Sequence, residues 1–303
     1  MTIVESSFLS LGLRCAATLY LPDGVDRPPV IVMAHGFGAT RVMRLPDYAA
    51  RFVAEGWAVL TFDYRCWGDS EGFPRNNLDP HWQIDDLLAA VAHVRGLPQV
   101  DGQRVALWGT AFSGAHVIVA AARDPRITAL VAQGPLASGV RAARVLPIAH
   151  QLRGACHGVV DAISARLRHR RHNVRIAGDY QHDGGRFAIA AGPESLPGEI
   201  RLHNGDAQSY HAMNFMPAAF VFAFMRYRPI TSASRVACPA LILGMERDDH
   251  FGRTGARAMA DRIPDATYRG YPIGHWGPYF DDNFDEFVAQ TIRFLHQHLD
   301  SSR

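Results

Sequence analysis

The stretch Arg104–Gly114 carries residues whose types and spacing support nucleophilic catalysis. An apolar run, Val105–Trp108, ends abruptly at Gly109, and an apolar helical pattern begins at Ala115. Small residues stand between them, at Ala111, Ser113 and Gly114. The pattern predicts a strand, a sharp turn and a helix. A nucleophile on such a turn needs small neighbours, because the turn is strained and the strand and helix backbones pass close together.

This arrangement resembles the nucleophile elbow Gly-x-Ser-x-Gly of the α/β-hydrolases. In one register Gly109 is the first glycine, and Ala111 occupies the position of the nucleophile. In the other register Ser113 is the nucleophile. We favour the first, because the second places the turn two residues inside the predicted helix. Ser113 is then a small packing residue or a helix cap.

In the favoured register the chain lacks its attacking oxygen. Either a serine at position 111 was replaced on purpose, as is done to trap a bound substrate, or the protein is a naturally inactive relative. The intact partner residues described below favour replacement. A cysteine or an aspartate as the original residue at 111 also stays open, and Thr110 and Phe112 resemble the neighbours found in serine enzymes.

Strand-like and helix-like segments alternate around the elbow. Buried strands are predicted for the apolar runs Pro29–Ala34 and Trp57–Phe62. Further strands are predicted for Val105–Trp108, Ile127–Gln133, Pro239–Gly244 and Thr267–Pro272, after two short strands, Phe8–Leu11 and Cys15–Leu21. Helices are predicted for Leu45–Glu55, Trp82–Arg95, Ala115–Ala122, Gly255–Arg262 and Phe280–His298. This alternation predicts a parallel sheet with helices on both faces.

Further motifs extend the resemblance to the whole α/β-hydrolase superfamily of serine esterases, lipases and thioesterases. They are His-Gly-Phe-Gly at 35–38, Asp-Tyr-Arg at 63–65 with Gly-Asp-Ser at 68–70, and the acid- and histidine-bearing stretches near 248 and 275. The resemblance implies a mostly parallel eight-stranded sheet flanked by helices, formed by residues 1–137 and 236–303. It also implies a helical cap, residues 138–235, inserted after the sixth strand.

The resemblance also assigns the acid and the base of a catalytic triad. Asp248 follows a predicted strand and is taken as the acid, with Asp249 as the second choice. His275 follows the last strand and is taken as the base. The order of elbow, acid and histidine is that of the α/β-hydrolases. His275 would take a proton from the nucleophile, and Asp248 would orient its ring and stabilise the imidazolium.

An oxyanion hole is implied by the turn that contains Gly36. Its donors would be the backbone N–H groups of Phe37 and Phe112, which stabilise the negative charge of a tetrahedral intermediate. Gly36 would let the backbone approach the substrate, and Trp276, beside the histidine, is expected at the substrate. His35 is expected to be a structural hydrogen-bonding residue.

The predicted cap departs from the alternating pattern. Helical pieces are predicted at Val145–Leu152, Val159–Arg168 and Pro217–Tyr227, on either side of a Gly- and His-rich stretch at 178–214. Its aromatic and methionine residues are candidates for an apolar pocket, although most could equally pack the cap's own core: Tyr210, Met213, Phe215, Met216, Phe220, Phe222, Phe224 and Met225. A basic run at 166–172 could dock an acidic partner such as an acyl carrier protein, or be a solvated helix end.

These features predict a serine hydrolase that cleaves a carboxylester or an acyl thioester through an acyl-serine, with a lactone or peptide as further possibilities. The second hypothesis is a naturally inactive ligand-binding protein. The presence of Asp248 and His275 argues against it, because a protein released from catalysis has no chemical need for either.

Composition excludes several other classes. The hydrophobic fraction of 48% and the net charge of +2 predict a soluble globular protein without general attraction to nucleic acid or membranes. All 31 basic residues are arginine, so a lysine Schiff base is excluded. The four cysteines form no CxxC pair, which favours buried thiols in the cytoplasm. We find no signal peptide or membrane-spanning run, and expect no cofactor or metal.

Overall fold

The structure is a computed structural model and describes residues 1–179, 186–248 and 255–300. Within these ranges the strands are β1 (Thr2–Ser10), β2 (Leu13–Leu21), β3 (Pro29–Ala34), β4 (Ala58–Phe62), β5 (Asp101–Thr110), β6 (Ala129–Gln133), β7 (Asn173–Gly178), β8 (Ala188–Ala191), β9 (Met216–Pro217), β10 (Ala240–Met245) and β11 (Ala266–Tyr271). The helices are α1 (Leu45–Ala54), α2 (Pro80–Arg95), α3 (Phe112–Ala121), α4 (Gly139–Ala143), α5 (Ile148–Arg168), α6 (Ser195–Leu202), α7 (Ala207–Met213), α8 (Phe220–Arg226), α9 (Gly255–Ala260) and α10 (Asp281–His298).

Eight strands form the main sheet, in the order β1-β2-β4-β3-β5-β6-β10-β11. The β1–β2 and β2–β4 pairs are antiparallel, and the remaining pairs are parallel. The predicted eight-stranded, mostly parallel sheet is therefore confirmed. Every residue of β3, β4, β6 and β10 is buried, as expected for strands covered by helices on both faces.

Side chains that alternate along β3 enter two different hydrophobic cores. Val30 and Val32 pack on the face that carries α2 and α3. Ile31 and Met33 pack on the opposite face, with Phe52 of α1 and Phe287 of α10. This period of two follows from the pleat of a strand, and it explains why the sequence shows a continuous apolar run here.

The chain leaves the main sheet after β6 and returns at β10. The inserted segment, residues 138–235, is mainly helical and also contains a three-stranded sheet in the order β8-β7-β9, which the sequence did not predict. The prediction of two helices over Val145–Leu152 and Val159–Arg168 was wrong, because α5 runs without a break. Two glycines inside α5 allow close packing and do not end it. An ideal Cβ at Gly158 would lie 2.7 Å from Val221 and 2.9 Å from Phe222.

The four cysteines all lie in described residues, and none is in a disulfide. Cys15, Cys66 and Cys238 are buried, as expected, whereas Cys156 is exposed on α5. Within the described ranges, no helix has the length and apolar character needed to cross a membrane.

Candidate active site

Ala111 forms the sharp turn between β5 and α3. Its backbone angles are φ 52° and ψ −113°, outside the regions that an L-residue prefers. Such a conformation costs on the order of 1–3 kcal/mol and persists only when its surroundings hold it. Here the Ala111 N–H donates to the carbonyl of Gln133 at 2.7 Å, and the Gly114 N–H donates to the carbonyl of Ala111 at 3.1 Å. The backbone strain is therefore at Ala111, the residue that the favoured register predicts to be the position of the nucleophile.

Glycine is needed on both sides of this turn for steric reasons. An ideal Cβ at Gly109 would lie 2.3 Å from the carbonyl oxygen of Ser113. One at Gly114 would lie 3.0 Å from the carbonyl oxygen of Gln133 and 3.2 Å from Pro135. The small residues noticed in the sequence therefore permit the close passage of β5, α3 and the end of β6.

Ser113 is turned into the protein interior, away from the pocket described below. Its hydroxyl donates to the carbonyl oxygen of His35 and accepts a hydrogen bond from Tyr64 Oη at 2.8 Å. The side chain is 1% exposed and joins α3 to the turn after β3. This placement counts against the alternative in which Ser113 attacks the substrate.

His275 and Asp248 are joined by a hydrogen bond in which the histidine Nδ1 and the carboxylate Oδ2 lie 3.0 Å apart. Asp248 follows β10 and His275 follows β11. These two strands are parallel neighbours, so their carboxyl ends lie at the same edge of the sheet. Both side chains are buried. The second-choice acid, Asp249, lies outside the described residues.

One pocket of about 290 Å³ brings most of the predicted site residues together. From the main sheet it is lined by Gly36, Phe37, Ala111, His275 and Trp276. The inserted segment contributes Ala142, Leu146, Ile189, Glu199, Phe220 and Phe224. Of the eight apolar candidates from that segment, Phe220 and Phe224 line the pocket, whereas Tyr210 and Met216 are fully buried in the hydrophobic cores.

The turn after β3 lies directly against the elbow. An ideal Cβ at Gly36 would lie 3.4 Å from the Cβ of Ala111. The Phe37 ring meets the Phe112 ring edge-to-face, with centroids 5.9 Å apart. Phe112 is the first residue of α3, so its N–H has no intrahelical partner. The two predicted oxyanion donors, Phe37 and Phe112, thus belong to segments in contact.

His35 has the structural role expected of it. Its Nδ1 donates to the carbonyl oxygen of Gly36 at 2.9 Å, and its ring packs edge-to-face on Tyr64. Burial lowers the pKa of His35, so the ring is neutral at pH 7.

The Asp63–Gly72 loop braces the turn after β3. The buried Asp63 carboxylate accepts hydrogen bonds from the Arg41 backbone at 2.7 Å and from the Asp69 backbone at 3.1 Å, and it pairs with the Arg41 guanidinium. An ideal Cβ at Gly68, where φ is +48°, would lie 2.3 Å from the Asp63 carboxylate. The carboxylate therefore takes the space that a side chain at 68 would need.

Two features near the pocket were missed by sequence reasoning. Thr110 Oγ1 accepts a hydrogen bond from Gln133 Nε2 at 3.0 Å and bonds to Tyr279 Oη at 2.5 Å, which ties the elbow to β6 and to the loop after His275. Glu199, in the inserted segment, is buried at the pocket wall. Burial raises the pKa of Glu199 to about 8. Thr110 belongs to the elbow motif, but that motif does not specify its partners, and no motif marks Gln133, Tyr279 or Glu199.

The fold and the elbow define the chain as an α/β-hydrolase. The structure of DcsB in complex with its substrate analogue superposes with a TM-score of 0.84 at 22% identity, covering 99% of this chain and 100% of that one. The α/β-hydrolase GrgF from Penicillium sp. sh18 superposes with a TM-score of 0.81 at 22% identity, over the same shares. At these identities the likeness concerns the fold alone.

The chain belongs to the Peptidase_S15 family, X-Pro dipeptidyl-peptidase (S15 family), whose model matches residues 12–251. It is 35% identical over 292 residues to the quorum-quenching protein AidA of Acinetobacter baumannii (strain MDR-ZJ06), a match that covers 96% of this chain and 94% of that protein. A shorter match, 41% identical over 136 residues, is to the thiohydrolase aneE of Aspergillus aculeatus, covering 45% of this chain and 42% of the relative.

Proposed function

We propose that the site is that of a hydrolase which cleaves a carboxylester or an acyl thioester through a covalent acyl intermediate on residue 111. The observation that carries the proposal is the backbone of Ala111, which holds a strained elbow conformation while its side chain lacks a nucleophilic atom. In this form the protein binds substrate without turning it over. The original residue is taken as serine.

The proposed reaction follows from the hydrogen bond between His275 and Asp248. Because Nδ1 of His275 donates to Asp248, Nε2 carries no proton and can accept one from the hydroxyl of a serine at position 111. The serine oxygen then bonds to the carbonyl carbon, and the N–H groups of Phe37 and Phe112 stabilise the oxyanion. As the intermediate collapses, the leaving alcohol or thiol takes the proton from the imidazolium. Water repeats the sequence and releases the acid.

Side chains on the pocket wall support an apolar acyl group. The Phe37 and Phe220 rings stack with centroids 5.2 Å apart, and Phe224 lies 5.7 Å from Phe220. The stack joins the turn after β3 to α8 of the inserted segment. On this basis residues 138–235 act as a cap that supplies much of the acyl pocket. A relative described as a thiohydrolase supports the thioester as substrate.

Restoring the nucleophile tests this function. The Ala111→Ser variant and the parent chain are assayed on p-nitrophenyl butyrate, on the N-acetylcysteamine thioester of butyrate and on a dipeptidyl X-Pro anilide. We expect the serine form to exceed the parent by at least about 10³-fold on the ester or the thioester. Ala39→Ser is the matched control, because it adds a hydroxyl to the wall of the same pocket at a residue that is not part of the elbow. Preference for the anilide would reject the ester and thioester assignment.

A ligand-binding protein without catalysis is the second candidate, and Ala111 itself favours it. In that case Ala111→Ser would remain inactive on all three substrates, whereas the parent chain would capture a ligand that survives intact. Equilibrium dialysis followed by mass spectrometry of the recovered ligand separates the two functions.

An acyl carrier protein is a proposed donor of the thioester. The run at 166–172 remains partly accessible to it: Arg166, Arg168 and Arg170 are exposed, whereas Arg171 pairs with the buried Asp161 at 2.6 Å. A carrier protein presents phosphate and acidic side chains that such a surface attracts. A cytoplasmic location belongs to the same proposal and is supported by four cysteines that form no disulfide.

A further inference from the structure

Glu199 lies on α6, which packs tightly on the loop that carries His275. An ideal Cβ at the preceding residue, Gly198, would lie 2.1 Å from the Trp276 ring. Only a glycine therefore lets the helix approach the indole this closely. The contact fixes Glu199 at the pocket wall beside the His275 loop, where its side chain is 4% exposed.

The Glu199 carboxyl also lies against the turn after β3. Its Oε1 is 3.4 Å from the position that a Cβ at Gly38 would take. Gly38 immediately follows Phe37, whose N–H is the proposed oxyanion donor. The carboxyl is thus close to the place where a substrate carbonyl would react.

Within the described residues, Oε2 of Glu199 is buried and has no hydrogen-bond partner. A buried polar atom without a partner is costly, and a ligand atom that pairs with it recovers that cost. The unsatisfied oxygen belongs to a side chain that lines the pocket. A polar ligand group is the expected partner.

The charge state of Glu199 follows from its neighbours. The titratable groups that interact with it are the phenols of Tyr210 on α7 and Tyr279 after His275, and burial raises the pKa of both, so they are neutral. Among the described residues, three other charged residues line the pocket. Arg44 forms an ion pair with Asp47, and Arg247 and Glu194 are exposed to solvent. Without a counter-charge, burial keeps the carboxyl protonated at pH 7, with its pKa at about 8. A protonated carboxyl is a hydrogen-bond donor.

We infer that Glu199 is a specificity-determining residue that donates a hydrogen bond to a carbonyl or hydroxyl oxygen on the acyl chain, within two or three bonds of the reacting carbonyl. The inference rests on the proposed function, because it assumes an ester or thioester in this pocket. It deepens that function by naming the substrate class: acyl groups that carry oxygen at the third carbon. Plain fatty acyl groups leave Oε2 unpaired and bind less tightly.

Binding to the parent chain tests this, because Ala111 prevents turnover. The probes are the N-acetylcysteamine thioesters of hexanoate, 3-hydroxyhexanoate and 3-oxohexanoate, titrated by calorimetry at pH 6.5 and pH 9. At pH 6.5 we expect the oxygenated probes to bind about 10-fold more tightly, the equivalent of one hydrogen bond. At pH 9 the carboxylate has no proton to donate, so the preference should shrink.

Three variants separate the roles of the side chain. Glu199→Met removes the donor and should abolish the preference at both pH values. Glu199→Gln keeps an N–H donor and should retain the preference at pH 6.5 and at pH 9. Glu246→Gln is the matched control, because Glu246 is an exposed acid outside the pocket lining, and it should behave as the parent does.

A preference that survives in Glu199→Met, or that grows at pH 9 in the parent, would overturn the inference. If all three thioesters bind equally, only this inference fails, and the proposed function stands. If none binds to any variant, the proposed function fails and this inference falls with it.

Discussion

Nδ1 of His275 and Oδ2 of Asp248 lie 3.0 Å apart in a buried hydrogen bond, at the carboxyl ends of two neighbouring parallel strands. The carboxylate accepts a hydrogen bond from one ring nitrogen, and the other ring nitrogen is the base of the proposed reaction. Both strands are fixed by the main sheet, whereas Ala111, the position proposed for the nucleophile, is fixed by the turn after β5. The pair is therefore complete in a chain whose residue 111 is alanine.

Replacing the acid tests the role of this pair. In the Ala111→Ser background, we expect Asp248→Asn to lower kcat by about 10³- to 10⁴-fold, because an amide favours the wrong histidine tautomer. Initial rates on p-nitrophenyl butyrate measure the loss. Glu246→Gln is the control, since Glu246 is an exposed acid two residues earlier in the chain and should leave kcat unchanged. An equal loss in both variants would contradict the assigned role of Asp248.

The brace around Asp63 gives a prediction about stability. Gly68→Ala introduces a Cβ 2.3 Å from the Asp63 carboxylate at a residue with φ +48°. We expect it to lower the free energy of unfolding by about 2–4 kcal/mol, measured by urea denaturation. Gly24→Ala is the matched control, because φ there is +73° but an added Cβ meets nothing within 4 Å. Equal effects would mean that backbone strain alone explains the requirement for glycine at 68.

The pH dependence of stability tests the burial of Glu199. Its pKa is about 8 in the folded protein, against an ordinary value of 4.5, so between these values the folded state holds a proton that the unfolded state has lost. The free energy of unfolding contributed by this group therefore falls as pH rises from 4.5 to 8, on the order of 5 kcal/mol in all, and is level above pH 8. Glu199→Gln should lack this decline, whereas Glu194→Gln should keep it. If the free energy of unfolding changes with pH in the same way in the parent and in Glu199→Gln, the Glu199 carboxyl is hydrated and the prediction is wrong.

The role of the exposed arginines in the 166–172 run is tested by comparing a carrier-bound thioester with a free one. This comparison separates binding of the carrier protein from the chemical step. In the Ala111→Ser background, the double variant Arg166→Glu and Arg168→Glu should raise KM for an acyl carrier protein thioester about 10-fold, because it reverses an attractive surface. kcat, and both constants for the free N-acetylcysteamine thioester, should be unchanged. Arg153→Glu, an exposed arginine nearer the start of α5, is the control. An equal rise in KM for the free thioester would contradict a carrier-docking role.

The central strands of the main sheet were predictable because they are covered on both faces. Runs such as Pro29–Ala34 and Pro239–Gly244 must then be apolar throughout, and their order in the chain sets the alternation. The elbow was predictable because steric crowding restricts 109 and 114 to small residues. The strand pattern repeats with a simple period, and the contact that restricts Gly109 is with Ser113, only four residues along the chain.

The inserted segment was less predictable, because its structure depends on contacts between distant residues. β7 reads Asn-Val-Arg-Ile-Ala-Gly, without the apolar run of a fully buried strand. The sequence predicted two helices where α5 is continuous, and each of the two glycines in α5 receives an aromatic ring from elsewhere in the segment. Glu199 acquires its burial from the turn at Gly38, the loop at Trp276 and α7. None of these neighbours is visible in its local sequence.

Covalent labelling of residue 111 tests the central claim most directly. Ala111→Ser is treated with a fluorophosphonate, which reacts with activated serines, and the modified peptide is located by mass spectrometry. The account predicts one label, on residue 111, that is lost when His275 is replaced by alanine, and no label on the parent chain or on Ala39→Ser. Labelling of Ser113 in the parent, or no labelling of Ala111→Ser, would contradict the assignment of position 111 as the nucleophile.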